Sequence, residues 1–170
     1  MRKTRGLSCL LACLFFIPVL VAAMAGPASG AGTRDTGKQR FVDNRDGTVT
    51  DTSTGLMWAA SDNGADIQWW DADRYCREYR GGGYTDWRLP TPDELAGLYD
   101  PVRKEQGGLG IVSAIRLTER CPWSSTTNLN AAVCFSFATG RQSWARRNDS
   151  YELRVLPVRG PEAAPRRDRR

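Results

Sequence analysis

Histidine is absent from the 170-residue sequence. That excludes Ser-His and Cys-His nucleophile pairs and any His-ligated metal centre. Lysine is almost absent too: a Ser-Lys dyad would have to draw on Lys38 or Lys104, both in stretches that read as linker or loop. Cysteine is sparse. Beyond the first 25 residues only Cys76, Cys121 and Cys134 remain, and no two of them have zinc-ligand spacing. Neither a metal nor a cofactor is expected. A charge excess of one sign is missing as well: the formal net charge is +5, yet residues 26–160 hold 17 basic and 17 acidic side chains. Nucleic acid is therefore not an expected partner.

The one long apolar run lies at the start. Arg2, Lys3 and Arg5 precede "LSCLLACLFFIPVLVAAMA" (7–25), which ends in Ala23-Met24-Ala25. This pattern predicts a secretory signal over 1–25, with a secreted or periplasmic product and no stable membrane insertion after cleavage. An uncleaved anchor is the competing reading, because the run approaches spanning length. Export permits one disulfide among the three remaining cysteines. Cys121 and Cys134 flank a predicted hairpin and are the favoured pair, with Cys76–Cys134 as the alternative.

"GPASGAGTRDTGKQ" (26–39) lacks apolar periodicity and reads as a flexible linker; "PEAAPRRDRR" (161–170) reads as a disordered basic tail. Between them, 40–160 is one domain. Three short strands are expected around Phe41-Val42, Thr48-Val49-Thr50 and Leu56-Met57-Trp58, with "DNRDG" and "TSTG" as turns. Ala72, Tyr75, Cys76 and Tyr79 keep helical spacing, and "GGG" (81–83) is the expected terminator. In "TPDE" Thr91 is a candidate N-cap, Pro92 suits the first helical position and Glu94 can close a capping box, which predicts a helix over 92–100. Residues 101–120 read as a long irregular segment pinned by Ile111, Ile115 and Leu117. Four strands are then expected in 121–127, 131–138, 142–147 and 151–159, joined by hairpins. The order of elements makes the class α+β.

Several stretches together resemble one family: "FVDNRDGTVTDTSTGLMW", "WWDADRYC", "GGYTDWRLPTPDEL", "WSSTT", "FSFATGR" and "LPVRG". In this order they resemble the Lcl C-terminal domain family, named after the C-terminal module of a collagen-like adhesin of Legionella. The resemblance covers about residues 40–160. It implies a C-type-lectin-like fold and an exported or surface setting, and the parent adhesin type is associated with sulfated polysaccharide. Many relatives carry a final-strand cysteine that could pair with the helix cysteine; here Val155-Leu156-Pro157-Val158 stands instead. Collagen-like Gly-X-Y repeats are absent. "WRLPTPDEL" is also similar to a stretch of the formylglycine-generating enzyme fold. Those enzymes need a reactive cysteine pair near the C-terminus, and no cysteine follows Cys134.

The remaining residues yield few candidates for chemistry. "DNRDG" misses a calcium-loop register because Val42 occupies the first ligand position. Ser124 and Ser125 read as strand residues, and Trp58, Trp87 and Trp123 as core. Trp144 differs, because it stands among Arg141, Arg146 and Arg147. A ring beside guanidiniums suits a sulfated or carboxylated sugar, and a charged strand edge is the plainer alternative. The expected function is thus a non-catalytic binding module for an anionic extracellular glycan or a cell-surface protein, with Arg141, Trp144, Arg146 and Arg147 as its site. An enzyme of lectin-like fold using Cys76 or a carboxylate pair, and a purely structural envelope protein, are the rivals.

Overall fold

A computed structural model describes residues 39–160. The expected signal over 1–25, the expected linker apart from Gln39, and the expected tail over 161–170 lie outside the described residues. Among those described, the chain runs through β1 (Phe41–Asp43), β2 (Thr48–Asp51), β3 (Met57–Ala59), α1 (Trp69–Glu78), α2 (Pro92–Ala96), α3 (Pro101–Glu105), β4 (Cys121–Thr127), β5 (Ala131–Ser136), β6 (Arg141–Arg146), β7 (Leu153–Arg154) and β8 (Val158–Arg159). The class is α+β, with two four-stranded sheets ordered β1-β2-β3-β8 and β6-β5-β4-β7.

Turn chemistry sets the first sheet. Asp43 Oδ1 accepts the Arg45 amide at 2.8 Å and Asp46 Oδ1 accepts the Thr48 amide at 3.0 Å. Gly47 takes the positive φ (83°) that closes the β1–β2 turn. Asp51 is buried at the end of β2, where Arg40 donates Nε and Nη2 to its oxygens at 3.0 and 2.8 Å and Ser53 adds its amide and hydroxyl. Burial pushes the Asp51 carboxyl up, but the bonds from Arg40 and Ser53 outweigh it and hold the group at about 2.

Helix α1 buries Ala72 and Cys76. It ends one turn earlier than the glycines suggest: Tyr79 is already extended (φ −64°, ψ 140°), and Gly81–Gly83 form a separate 3-10 turn. Gly81 is needed for close approach, since a Cβ there would lie 2.5–2.7 Å from the Tyr79 side chain, while Gly82 and Gly83 take positive φ (60° and 79°) in the turn beyond the helix. The capping box at "TPDE" is present in full, with Thr91 Oγ1 accepting the Glu94 amide at 3.2 Å and Glu94 Oε2 accepting the Thr91 amide at 2.8 Å. The helix is shorter than 92–100. Gly97 caps it, yet Leu98 (1% exposed) still packs beside Leu95 (0%). The segment read as irregular contains α3, opened by an Asp100 cap on the Val102 and Arg103 amides and by Pro101. Ile111 and Ile115 are buried and Leu117 packs against the same cluster, as their spacing suggested.

The expected final strand, 151–159, is two strands in two sheets. β7 pairs parallel with β4, and β8 pairs antiparallel with β3. Val155, Leu156 and Pro157 cross between the sheets, all buried. Pro157 has no N–H to donate to a ladder, so a continuous strand cannot form here. Asn63 and Ala59 satisfy the crossing backbone instead: Asn63 Oδ1 accepts the Val155 amide at 3.0 Å, and the Ala59 amide donates to the Pro157 carbonyl at 3.0 Å. β6 and β7 lie at opposite edges of their sheet, so "NDS" carries the chain across it and is not a hairpin.

Trp58 (1% exposed), Trp87 (3%) and Trp123 (0%) are core residues, as expected. Each contributes roughly 4–6 kcal/mol of gross transfer free energy as an upper bound. Cys121 and Cys134 form a disulfide across β4 and β5, Cα atoms 5.6 Å apart. Cys76 is a free, buried thiol packed in the same cluster as Cys134, which explains why its sequence position also suited that partner. Burial pushes the Cys76 thiol well above its ordinary range.

Arg88 and Glu94 join the parts. Glu94, with its side chain fully buried, accepts Arg88 Nη1 and Nη2 in a two-pronged pair, each bond 2.8 Å. Arg88 also exchanges backbone bonds with Val158 of β8 (2.8 and 3.1 Å), and the Ser125 amide of β4 donates to Pro90 O at 2.8 Å. "WRLPT" is therefore fastened to both sheets.

Arg88→Met, which strands the Glu94 charge, should lower unfolding free energy by about 3–5 kcal/mol, against at most about 0.5 kcal/mol for Arg77→Ala on the exposed face of α1; urea denaturation measures both. Because the Asp51 pKa is depressed on folding, its contribution is present above pH 4 and fades as pH falls towards about 2. Asp51→Asn should remove on the order of 1–2 kcal/mol of that pH dependence, with allowance for the half-exposed Arg40. In the chain from residue 26 onward, which lacks Cys9 and Cys13, a thiol reagent such as Ellman's should find no reactive sulfhydryl in the folded protein and one at Cys76 after unfolding without reductant. Fast labelling of the native state would contradict the assigned packing.

Candidate ligand-binding edge

Seven of the fourteen arginines among the described residues have a carboxylate; Arg45, Arg80, Arg103 and Arg116, spread singly along the chain, are in no ion pair. Arg40, Arg74, Arg77, Arg88, Arg120, Arg154 and Arg159 pair with Asp51, Asp71, Asp73, Glu94, Glu152, Asp66 and Asp86 respectively. Arg141, Arg146 and Arg147 do not: none is in an ion pair among the described residues. All three belong to β6 or its end, and β6 is the free edge of the second sheet.

Strand alternation decides what this edge presents. β6 pairs antiparallel with β5, Ala145 opposite Ala132 and Trp144 opposite Val133. Ala145 packs on the cluster that contains Ala72 and Cys76 of α1, so it points to the α1 face. Trp144 and Arg146, one step either side, point to the opposite face. Arg147 follows Ala145 by two and returns to the α1 face. Arg141 shares that parity but lies five residues from Arg146, roughly 17 Å along the strand. The structure therefore brings Trp144 and Arg146 together, sends Arg147 round the edge, and leaves Arg141 apart.

The α1 face holds an aromatic pair that the sequence reading left without a role. Trp69 and Trp70 open α1 with ring centroids 4.9 Å apart in an edge arrangement. The Trp69 amide donates to Arg147 O at 3.0 Å and its Nε1 donates to Ser124 O at 2.8 Å, which fixes the helix start to β4 and to the end of β6. The Arg147 guanidinium lies 4.3 Å from the Trp70 ring centre and 5.6 Å from that of Trp69, with Nη2 donating to Leu129 O. Trp70 is 55% exposed and Trp144 56%. The signal in the sequence was the doubled Trp at the head of an amphipathic helix. Nothing in the sequence placed Arg147 beside it.

Other groups are held by the fold. Glu94 has both oxygens engaged, and the Ser124 hydroxyl donates to Val133 O at 2.8 Å inside the sheet. The Asp43 and Asp46 carboxylates close their own turn. Among the described residues no group of His, Cys, Asp and Glu is placed to hold a metal ion. An open cleft of about 560 Å³ lies beneath the 148–153 loop, with Ala145 and Cys121 on its wall. Of its charged residues, Arg120 and Glu152 neutralise one another and Asp149 accepts the Arg146 amide.

No helix among the described residues is long and apolar enough to cross a membrane. Comparison with curated proteins finds no match. The family model of the Lcl C-terminal domain matches residues 47–159, a span that takes in β2 to β8, the Arg88–Glu94 fastener and the β6 edge. On that match over most of its length, the chain belongs to the Lcl C-terminal domain family.

Proposed function

We propose that this domain is an exported, non-catalytic binding module that recognises an anionic extracellular glycan at the β6 edge. The observation that carries the reading is the clustering of charge there: Arg141, Arg146 and Arg147, none of them in an ion pair among the described residues, fall within seven residues at one sheet edge beside exposed indoles. Guanidiniums offer planar, forked donors to sulfate or carboxylate, and the exposed indoles beside them offer faces for sugar rings. Family membership supports an adhesin-associated role and a location outside the cytoplasm. The topology supports the lectin-like assignment, because β8 returns to the sheet begun by β1–β3 while β4–β7 form the other. A role without catalysis is supported by the burial of Cys76 and by the locking of Glu94 against Arg88 and Thr91.

The intact protein should be retained on immobilised heparin and released by salt, because exposed ion pairs weaken as screening rises. Arg146→Ala combined with Arg147→Ala should elute at clearly lower salt with an unchanged melting temperature. Equal retention of the double variant would remove β6 as the site, and no retention of the parent would remove sulfated glycan as the ligand.

A further inference from the structure

Three guanidiniums that lie over aromatic rings supply a comparison internal to the molecule. Arg40 lies over Phe41 at 4.5 Å and Arg159 over Tyr84 at 3.7 Å, and each of these guanidiniums also binds a carboxylate, Asp51 or Asp86. Arg147 lies over Trp70 at 4.3 Å, and its hydrogen bond goes to a neutral carbonyl, that of Leu129. Its geometry is thus fixed on both sides while its charge is left unbalanced. A guanidinium held flat on an indole with one Nη engaged keeps its other N–H groups in a set direction, so an incoming anion loses less side-chain entropy on binding.

The second observation is the free edge itself. In an antiparallel ladder the backbone groups of alternate residues point to the partner strand, and the Arg147 amide donates to Asn130 O at 3.0 Å. By that parity Arg141, Ser143 and Ala145 face β5, while Gln142, Trp144 and Arg146 face outward. Asp149 takes up Arg146, its Oδ2 accepting the Arg146 amide at 3.2 Å and its own amide donating to Arg146 O at 2.9 Å. Beyond Arg146 the edge pairs with no further strand among the described residues, and Trp144 and Arg146 stand on one face of it, Trp70 and Arg147 on the other.

Resting on the glycan reading above, we propose that the site has two halves on opposite faces of β6 and that a linear polyanion bends round the edge strand to occupy both. Trp70 and Arg147 take one sugar and its anionic group. Trp144 and Arg146, neighbours on one face at i and i+2 and so ~7 Å apart, take a later one. The half-site at Trp70 is the pre-formed one and captures the chain first. Affinity is then set by chain length, since the second contact is intramolecular once the first is made.

Calorimetric titration of the intact protein with heparin-derived oligosaccharides of graded length tests this. With long chains, Trp70→Ala, Arg147→Gln, Trp144→Ala and Arg146→Gln should each weaken binding by about tenfold. With chains too short to reach both faces, the cost of Trp144→Ala and of Arg146→Gln should shrink to no more than about twofold, because such chains bind at the pre-formed Trp70 half. Unchanged melting temperatures exclude misfolding, and all four side chains are exposed or half-exposed. If Trp70→Ala and Arg147→Gln bind long chains as tightly as the parent while Arg146→Gln is impaired, the two-faced site is overturned and the glycan reading stands. Losses of equal size at every length for Trp144→Ala and Arg146→Gln also overturn it. Failure of the parent to bind any sulfated oligosaccharide overturns the glycan reading itself.

Discussion

The buried pair of Arg88 and Glu94 is the constraint on which the rest of the architecture depends. Glu94 sits fully buried at the start of a five-residue helix too short to be stable alone. Its carboxylate accepts two guanidinium bonds and the Thr91 amide, so the same group caps the helix and anchors the arginine. The backbone of Arg88 in turn holds β8, and Pro90 holds β4. Such a pair gains little over a well-packed apolar substitute, but it has one satisfactory geometry. Here that geometry specifies how two small sheets meet, which apolar contacts alone would leave less determined.

Local chemistry was readable in the sequence, and long-range placement was not. The capping box at Thr91–Glu94, the Asp-Gly turn of the first hairpin and the pairing of Cys121 with Cys134 all follow from neighbours within a few residues or one hairpin. The division of 151–159 between two sheets depends on where β3 and β4 lie, and only Pro157 hinted at a break. The "Asp-Pro" start of α3 carried the same signals as "TPDE" and was legible, but the long apolar-poor stretch around it read as loop. The glycine triplet does supply positive φ at Gly82 and Gly83, but past the end of α1 at Glu78, and Gly81 answers to the Tyr79 ring, which no local pattern shows.

The candidate site shows the same division. That β6 is cationic and aromatic is written in "RQSWARR", and its strand period of two already separates Trp144 and Arg146 from Arg147. Treating the four residues as one cluster ignored that alternation. The partner of Arg147, Trp70, lies 77 positions away and reaches it only because Trp69 is bonded to Ser124 O and Arg147 O. No local pattern encodes that meeting. Belonging to the Lcl C-terminal domain family gives the domain its adhesin-associated context, while the partly stranded positive charge along one strand belongs to this chain's own geometry.

The passage of Val155–Pro157 between the sheets returns the chain to the sheet in which it began, so β1 and β8 are separated by only two strands. Mechanical tension applied between the domain's two ends would therefore enter through this first sheet. The sheet bearing β6 stands outside that load path, and its central hairpin is closed by the Cys121–Cys134 crosslink. Stretching the domain by its ends would then load the first sheet and leave the crosslinked hairpin beside β6 out of line with the pull.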